Sequence, residues 1–182
     1  MGQDKALIRL DGETLLHRSL QKLGRLFREV LIVTDKPGRY RTDAAKEVTD
    51  IYRECGPLGG IHAGIYAAAY DWTLITACDM PFWEASIADE LMAARSGYDA
   101  VVPKSGIRPE PLFALYRKSC LPAIQECLDQ NVFKVTRFYE KINVHYEDIG
   151  YKKGRITPQP FSNINTPEDL YDIRASDISG PK

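Results

Sequence analysis

Apolar and polar positions follow two alternating periods along this chain. Leu15, Leu16, Leu20 and Leu23 recur at helical spacing with Ser19 on the same face, behind Thr14 as a helix N-cap and ahead of Gly24 as its expected end. Glu29–Thr34, apolar from Val30 to Val33, predicts a buried-type strand, broken by Asp35-Lys36-Pro37-Gly38. Upstream, Ala6–Leu10 is short and apolar and closes on an Asp11-Gly12 turn. Val48–Tyr52 predicts a short edge strand. Gly56-Pro57-Leu58-Gly59-Gly60-Ile61 predicts a glycine-rich turn feeding a small-residue helix over Ile61–Tyr70, whose alanines and glycines permit close helix–sheet packing.

Leu74–Phe82 organises the rest. It reads as an apolar, β-compatible run, then Asp79, then a proline that stops the strand, and its continuous apolarity suits a strand covered on both faces, as in a parallel sheet. A helix over Glu84–Arg95 follows, with Ile87, Leu91 and Met92 inward, and then a strand over Asp99–Pro103. The Ser105-Gly106 turn predicts a hairpin-like excursion into a strand over Glu110–Tyr116. Helices over Ser119–Asp129 and Phe133–Tyr139 and a half-exposed strand over Ile142–Tyr146 come next. Gly150–Pro160 is loop-like, with Lys152, Lys153 and Arg155 clustered. From Phe161 a strand runs into a helix with Thr166 at N-cap, Pro167 at N1 and Asp169 at N3. This alternation predicts a single-domain α/β three-layer sandwich over 1–182. Its sheet is expected to be mostly parallel and Rossmann-like, with a mixed or antiparallel excursion around 99–146.

Composition narrows the partners. A net charge of −1 over 182 residues gives no basic footprint for nucleic acid. No apolar run approaches the roughly 20 residues of a membrane span, and no signal-peptide h-region stands at the N-terminus, so a cytoplasmic protein binding neither nucleic acid nor membrane is expected. Cys55, Cys78, Cys120 and Cys127 form no Cys-x-x-Cys pair and read as buried small hydrophobes. His17, His62 and His145 are scattered and suggest neither a zinc site nor a nucleophile–base pair.

In open α/β sheets, ligands sit beyond the carboxyl ends of the strands. Asp79 is placed to project there, where a lone carboxylate commonly holds Mg²⁺ against substrate phosphates. The alternative is a cap or turn role at the start of the Glu84–Arg95 helix.

Four stretches resemble the MobA-type molybdenum cofactor guanylyltransferase family of the nucleotidyltransferase fold: Met1-Gly2-Gln3-Asp4-Lys5-Ala6-Leu7, Gly56-Pro57-Leu58-Gly59-Gly60-Ile61, Cys78-Asp79-Met80-Pro81-Phe82, and Asn163-Ile164-Asn165-Thr166-Pro167-Glu168-Asp169-Leu170. The resemblance implies Mg²⁺-dependent transfer of GMP from GTP to the terminal phosphate of molybdopterin, releasing pyrophosphate. It casts Lys5 and Asp79 as catalytic, with Asp79 holding the metal. Gly2, Lys5, Asp50, Gly56, Pro57, Leu58, Gly59 and Asp79 would bind the nucleotide, with Asp50 and the Gly56–Gly60 turn reading the base. Asn163 and Asn165 would orient the pterin phosphate or complete the metal shell. The implied partners are GTP, molybdopterin and proteins that deliver or accept the cofactor, for a monomer or weak homo-oligomer. Rivals are a cytidylyl- or sugar-phosphate nucleotidyltransferase of the same fold, and a non-catalytic cofactor-binding relative.

The chain departs from the family pattern in two places. The family signature begins with a central first strand and a Leu-Ala-Gly-Gly phosphate loop that would lie upstream of Met1. Either the start is misassigned or the chain incomplete, or the protein is shortened and inactive. The ladder groups that loss of a central strand would expose favour the first explanation. After the second strand the family often has asparagine, where this chain has Val33-Thr34-Asp35.

Overall fold

In the computed structural model, residues 4–36, 38–149, 161–164 and 169 are described. A 3-10 turn at Lys5–Leu7 leads into a small antiparallel hairpin of β1 (Arg9–Leu10) and β2 (Glu13–Thr14). Thr14 caps α1 (Leu15–Leu26), its hydroxyl accepting the His17 N–H at 3.2 Å. Then come β3 (Leu31–Thr34), β4 (Lys46–Thr49), α2 (Gly56–Ala67), β5 (Trp72–Thr76), α3 (Ala85–Ala94), β6 (Ala100–Ser105), β7 (Arg108–Pro109), β8 (Phe113–Arg117), α4 (Leu121–Asp129), a 3-10 segment at Val135–Lys141 and β9 (Val144–Asp148).

The two-residue period of the strands sets the layers. Ala100 and Val102 of β6, with Ala114 and Tyr116 of β8, bury against α2, α4 and the Phe138-Tyr139 pair. Val101, Phe113 and Leu115 bury on the opposite face with Met80, Trp83 and the Ile87 and Leu91 ridge of α3. The result is the expected three-layer α/β sandwich. Trp83, Tyr116, Phe113 and Phe138 are among its largest fully buried side chains. Each removes enough apolar surface from water to contribute roughly 2–3 kcal/mol.

Strand pairing shows the mixed excursion expected around 99–146. β3 and β4 pair in parallel, as do β6 and β9, but β5 pairs antiparallel with β8, and β8 antiparallel with β6. The turn at Gly106 (φ +62°) sends the chain back through β7, so the returning β8 enters between β5 and β6 against their direction. Among the described residues β5 pairs only with β8, and antiparallel to it. All five of its residues are only half-buried, because β8 is its one paired neighbour among the described residues.

Several boundaries also move. Gly24 lies inside α1, with no positive φ, instead of ending it. The glycine-rich stretch is itself the first turn of α2, so the helix begins at Gly56 and not at Ile61. The edge strand is shifted to Lys46–Thr49, and Glu110–Leu112 is a turn ahead of β8. Phe133–Tyr139 is replaced by a 3-10 segment two residues further on. The 150–160 loop and the Thr166 cap lie outside the described residues. All four cysteines are free thiols; Cys55, Cys120 and Cys127 are buried as expected, whereas Cys78 is only partly so.

Two glycines separate steric need from helix propensity. A Cβ on Gly59 would stand 2.8 Å from the Tyr52 carbonyl oxygen, a backbone atom that cannot yield without moving the preceding turn. Gly24 is exposed and has nothing within 4 Å. Gly59→Ala is expected to cost about 1–3 kcal/mol by overpacking. Gly24→Ala is expected to gain roughly 0.5–1 kcal/mol. Urea unfolding of the two variants should show midpoints displaced in opposite directions.

Candidate active site

The crevice forms where β3 and β5 end. β5 stops at Thr76, the Ala77 N–H donates to the Leu112 carbonyl at 2.9 Å, and Asp79 follows in the turn beyond. That turn is held from several sides. Met80 and Trp83 are buried, and the Asp79 carbonyl accepts the Ile164 N–H at 2.8 Å. Lys22 of α1 donates to the carbonyls of Pro81 and Trp83 at 2.7 and 2.9 Å and lies 4.7 Å over the Trp83 ring. Burial lowers the Lys22 pKa, with Arg18 adding to the effect. The Asp79 side chain thus projects from an anchored loop.

Lys5 meets it. Its Nζ stands 3.1 Å from Asp79 Oδ2, with side-chain exposures of 46% and 14%. Asp4 fixes the backbone on which Lys5 rides: its Oδ1 accepts the Ala6 N–H at 3.1 Å, capping the short 3-10 turn. Asp4 Oδ2 takes Arg39 at 2.6 Å and the Tyr40 hydroxyl at 3.3 Å. Burial, with Asp4 adding to it, pushes the Tyr40 hydroxyl up to about 12, so it stays a donor at neutral pH. Arg39 and Tyr40 sit on a loop wrapped around Glu47, whose carboxylate accepts the N–H groups of Gly38, Tyr40 and Arg41 at 2.7–3.1 Å. These bonds, that from Tyr40 first, draw the Glu47 pKa below the ordinary carboxylate value.

Asp50 follows β4. Its Oδ1 is buried and has no hydrogen-bond partner among the described residues. Burial, and secondarily the charge of Asp35, raise the Asp50 pKa. Gly60 of α2 lies alongside: a Cβ there would stand 3.9 Å from Asp50 Oδ1. α2 makes no side-chain cap hydrogen bond at its start, and Pro57 in its first turn carries no N–H.

The structure therefore gathers Lys5 and Asp79, and sets Asp50 beside the Gly56–Gly60 turn. Gly56 and Pro57 are exposed there, but the Leu58 side chain is fully buried in the core, leaving only its backbone to face a ligand. Asn163 is exposed next to the Ile164–Asp79 bond; Gly2 and Asn165 lie outside the described residues. Sequence reasoning missed Arg39, Tyr40 and Glu110. Arg39 and Tyr40 lie in a loop with no periodic signal. Glu110 is half-buried in the turn before β8, where burial raises its pKa and the charge of Asp79 adds to the effect. The Tyr116 hydroxyl pins that turn, donating to the Pro111 carbonyl at 2.9 Å while standing 2.5 Å from the Tyr139 hydroxyl.

This fold and crevice are those of a nucleotidyltransferase. Residues 1–144 match the model of the MobA-like NTP transferase domain. A probable molybdenum cofactor guanylyltransferase from Pelotomaculum thermopropionicum is 37% identical over 175 residues, 96% of this chain and 85% of that protein. The molybdenum cofactor guanylyltransferase of Desulfosudis oleivorans is 32% identical over 98% of this chain and 90% of its own length. Among solved structures, molybdopterin-guanine dinucleotide biosynthesis protein A from Archaeoglobus fulgidus superposes with a TM-score of 0.77 at 29% identity, covering 97% of this chain and 91% of its own. The chain belongs to the MobA-like NTP transferase family.

Asp50 yields a prediction with a defined sign. Its pKa is raised on folding, so ionisation weakens the fold as pH rises from the ordinary carboxylate value, near 4, through the raised one. Asp50→Asn should therefore melt higher than the parent at pH 7. The difference should shrink below about pH 4, where Asp50 is neutral in both states. Thermal melts from pH 3 to pH 8 would show it.

Proposed function

We propose that this protein transfers GMP from GTP to the terminal phosphate of molybdopterin, releasing pyrophosphate. The observation that carries the reading is the Lys5–Asp79 pair, 3.1 Å apart just beyond the end of β5, in a chain whose Asp50 Oδ1 is buried beside Gly60 with no hydrogen-bond partner among the described residues. The names borne by its relatives supply the substrates.

The chemistry asks little covalent work of the chain. A phosphate oxygen of the pterin attacks the α-phosphorus of GTP, that phosphorus–oxygen bond forms, and the bond to the bridging oxygen breaks with pyrophosphate carrying away the electron pair. Catalysis then consists of holding the nucleophile in line and offsetting charge on the phosphates. Lys5 is a half-exposed ammonium on a capped turn, able to leave Asp79 for a triphosphate oxygen at small cost. Asp50 offers acceptors, matching the N1–H and amino donors that distinguish guanine from cytosine or adenine. In this reading Asn163, exposed beside the Ile164–Asp79 hydrogen bond, orients the pterin phosphate.

Mg²⁺ belongs to the proposal. Among the described residues, no group of three or more His, Cys, Asp or Glu side chains forms a ligand set. A single loop carboxylate suits an ion that keeps its waters and shares substrate phosphates, so Asp79 fits. When bound there the ion would neutralise phosphate charge.

Pyrophosphate release, followed with molybdopterin and GTP, tests the reading. Asp79→Asn should lower turnover by on the order of a hundredfold or more with an unchanged melting temperature. Lys5→Ala should lower kcat and raise KM for GTP. Turnover with CTP and none with GTP would overturn the guanylyl assignment.

A further inference from the structure

Glu110 is a half-buried carboxylate to which the proposed reaction gives no task. β5 and β8 pair antiparallel as far as Thr76 and Phe113, and the ladder runs one step further, where the Ala77 N–H donates to the Leu112 carbonyl at 2.9 Å. Asp79 and Glu110 each lie two residues beyond that bond, so their turns leave the sheet together at one end. Two residues of extended chain span only about 7 Å, so one ligand with a ring at one end and a phosphate at the other can reach both turns.

The Glu110 turn is held on every side. Its N–H donates to the Pro103 carbonyl at 2.8 Å, and its carbonyl accepts the Phe113 N–H at 3.2 Å. The buried Tyr116 hydroxyl donates to the neighbouring Pro111 carbonyl at 2.9 Å. The side chain itself is only partly engaged. Oε1 accepts the Leu112 N–H at 3.3 Å, and no Lys, Arg or His pairs with the carboxylate among the described residues. Burial raises its pKa against that hydrogen bond, which lowers it, and the charge of Asp79 raises it further. A fixed, partly dehydrated carboxylate with no cation beside it costs stability, and donors from a ligand would offset that cost.

Both substrates of the proposed transfer offer such donors. Guanine and pterin each contain a 2-amino-4-oxo-pyrimidine ring, with an N–H and an amino group side by side for a carboxylate to accept. Asp50, proposed to take guanine, follows β4 of the β3–β4 pair, whereas Glu110 precedes β8 in the other sheet. We propose that Glu110 reads the acceptor substrate, its carboxylate accepting the N–H and 2-amino donors of the pterin ring while the phosphate of the same molecule reaches the Asp79 turn. The inference rests on guanylyl transfer to molybdopterin as the reaction. Glu110 makes and breaks no bond in it; the residue sets which acceptor binds. Holding the turn alone would need no charge, only an oxygen for the Leu112 N–H.

Fluorescence titration with pterin-6-ylmethyl phosphate, and with the lumazine counterpart whose 2-amino group is replaced by an oxo group, tests this directly. The parent should bind the pterin about tenfold or more tighter, since the lumazine turns an acceptor towards the carboxylate. Glu110→Gln keeps the side-chain volume and an oxygen for Leu112. It should lose the preference, with GTP affinity unchanged and a melting temperature no lower than the parent's. In turnover its KM for molybdopterin should rise about tenfold while that for GTP stays constant. Absence of binding or of preference in the parent, a preference that survives Glu110→Gln, or an equal loss of GTP affinity would each overturn the proposal. Pyrophosphate release from GTP and molybdopterin separates the two readings. Turnover by the parent with a preference indifferent to Glu110 sinks this inference alone, whereas a Glu110-dependent preference without turnover supports it and sinks guanylyl transfer.

Discussion

Everything in the crevice is arranged around a carboxylate and an ammonium brought together across 74 residues of sequence. An ion pair with one half-exposed partner contributes at most about 1 kcal/mol, so Lys5 and Asp79 do not hold the fold together. The effort lies in the anchoring. Asp79 is fixed by the Ile164 N–H, by buried Met80 and Trp83, and by Lys22 on two carbonyls, while Lys5 is fixed by the Asp4 cap and the Arg39 and Tyr40 contacts. Such placement, more than binding strength, is what transfer between phosphates needs, since a preorganised charge loses nothing to reorganisation as the reaction proceeds.

Asp50 is the counterpart. Burying a carboxylate oxygen without a partner costs stability, and the raised pKa expresses that cost. A fold that keeps such a group beside an uncapped helix start offers acceptors and donors next to each other, complementary to the edge of a purine with both. On the proposed reading, the phosphates lie at the Lys5–Asp79 pair and the base at Asp50.

Much of this was legible in the sequence because it rests on local chemistry. Thr14 announced its helix, Asp79-Met80-Pro81 announced a carboxylate beyond a strand, and the short, separate motifs pointed jointly to the family. Pairing was legible only in part: the Ser105-Gly106 turn marked the antiparallel excursion, but not which strand it would lie against. The apolarity of Leu74–Ile75 is the same whether its neighbour runs parallel or antiparallel, and only the Gly106 hairpin decides that β8 lies against it. Helix ends were misread at both glycines: Gly59 is needed for its close approach to the Tyr52 carbonyl and not for a turn, and Gly24 sits exposed within α1 with no packing role. Arg39 and Tyr40 reach the site through a loop shaped by Glu47, a contact that no periodicity encodes.

The central claim is that one crevice takes a guanine nucleotide, with its base at Asp50 and its phosphates at Lys5 and Asp79. Titration calorimetry of GTP, CTP and ATP into the protein, with and without Mg²⁺, addresses it most directly, repeated on Asp50→Asn. The account predicts Mg²⁺-dependent binding that favours GTP, and loss of that preference in the variant with the metal dependence intact. Equal affinity for all three nucleotides, or a GTP preference that survives Asp50→Asn, would contradict it.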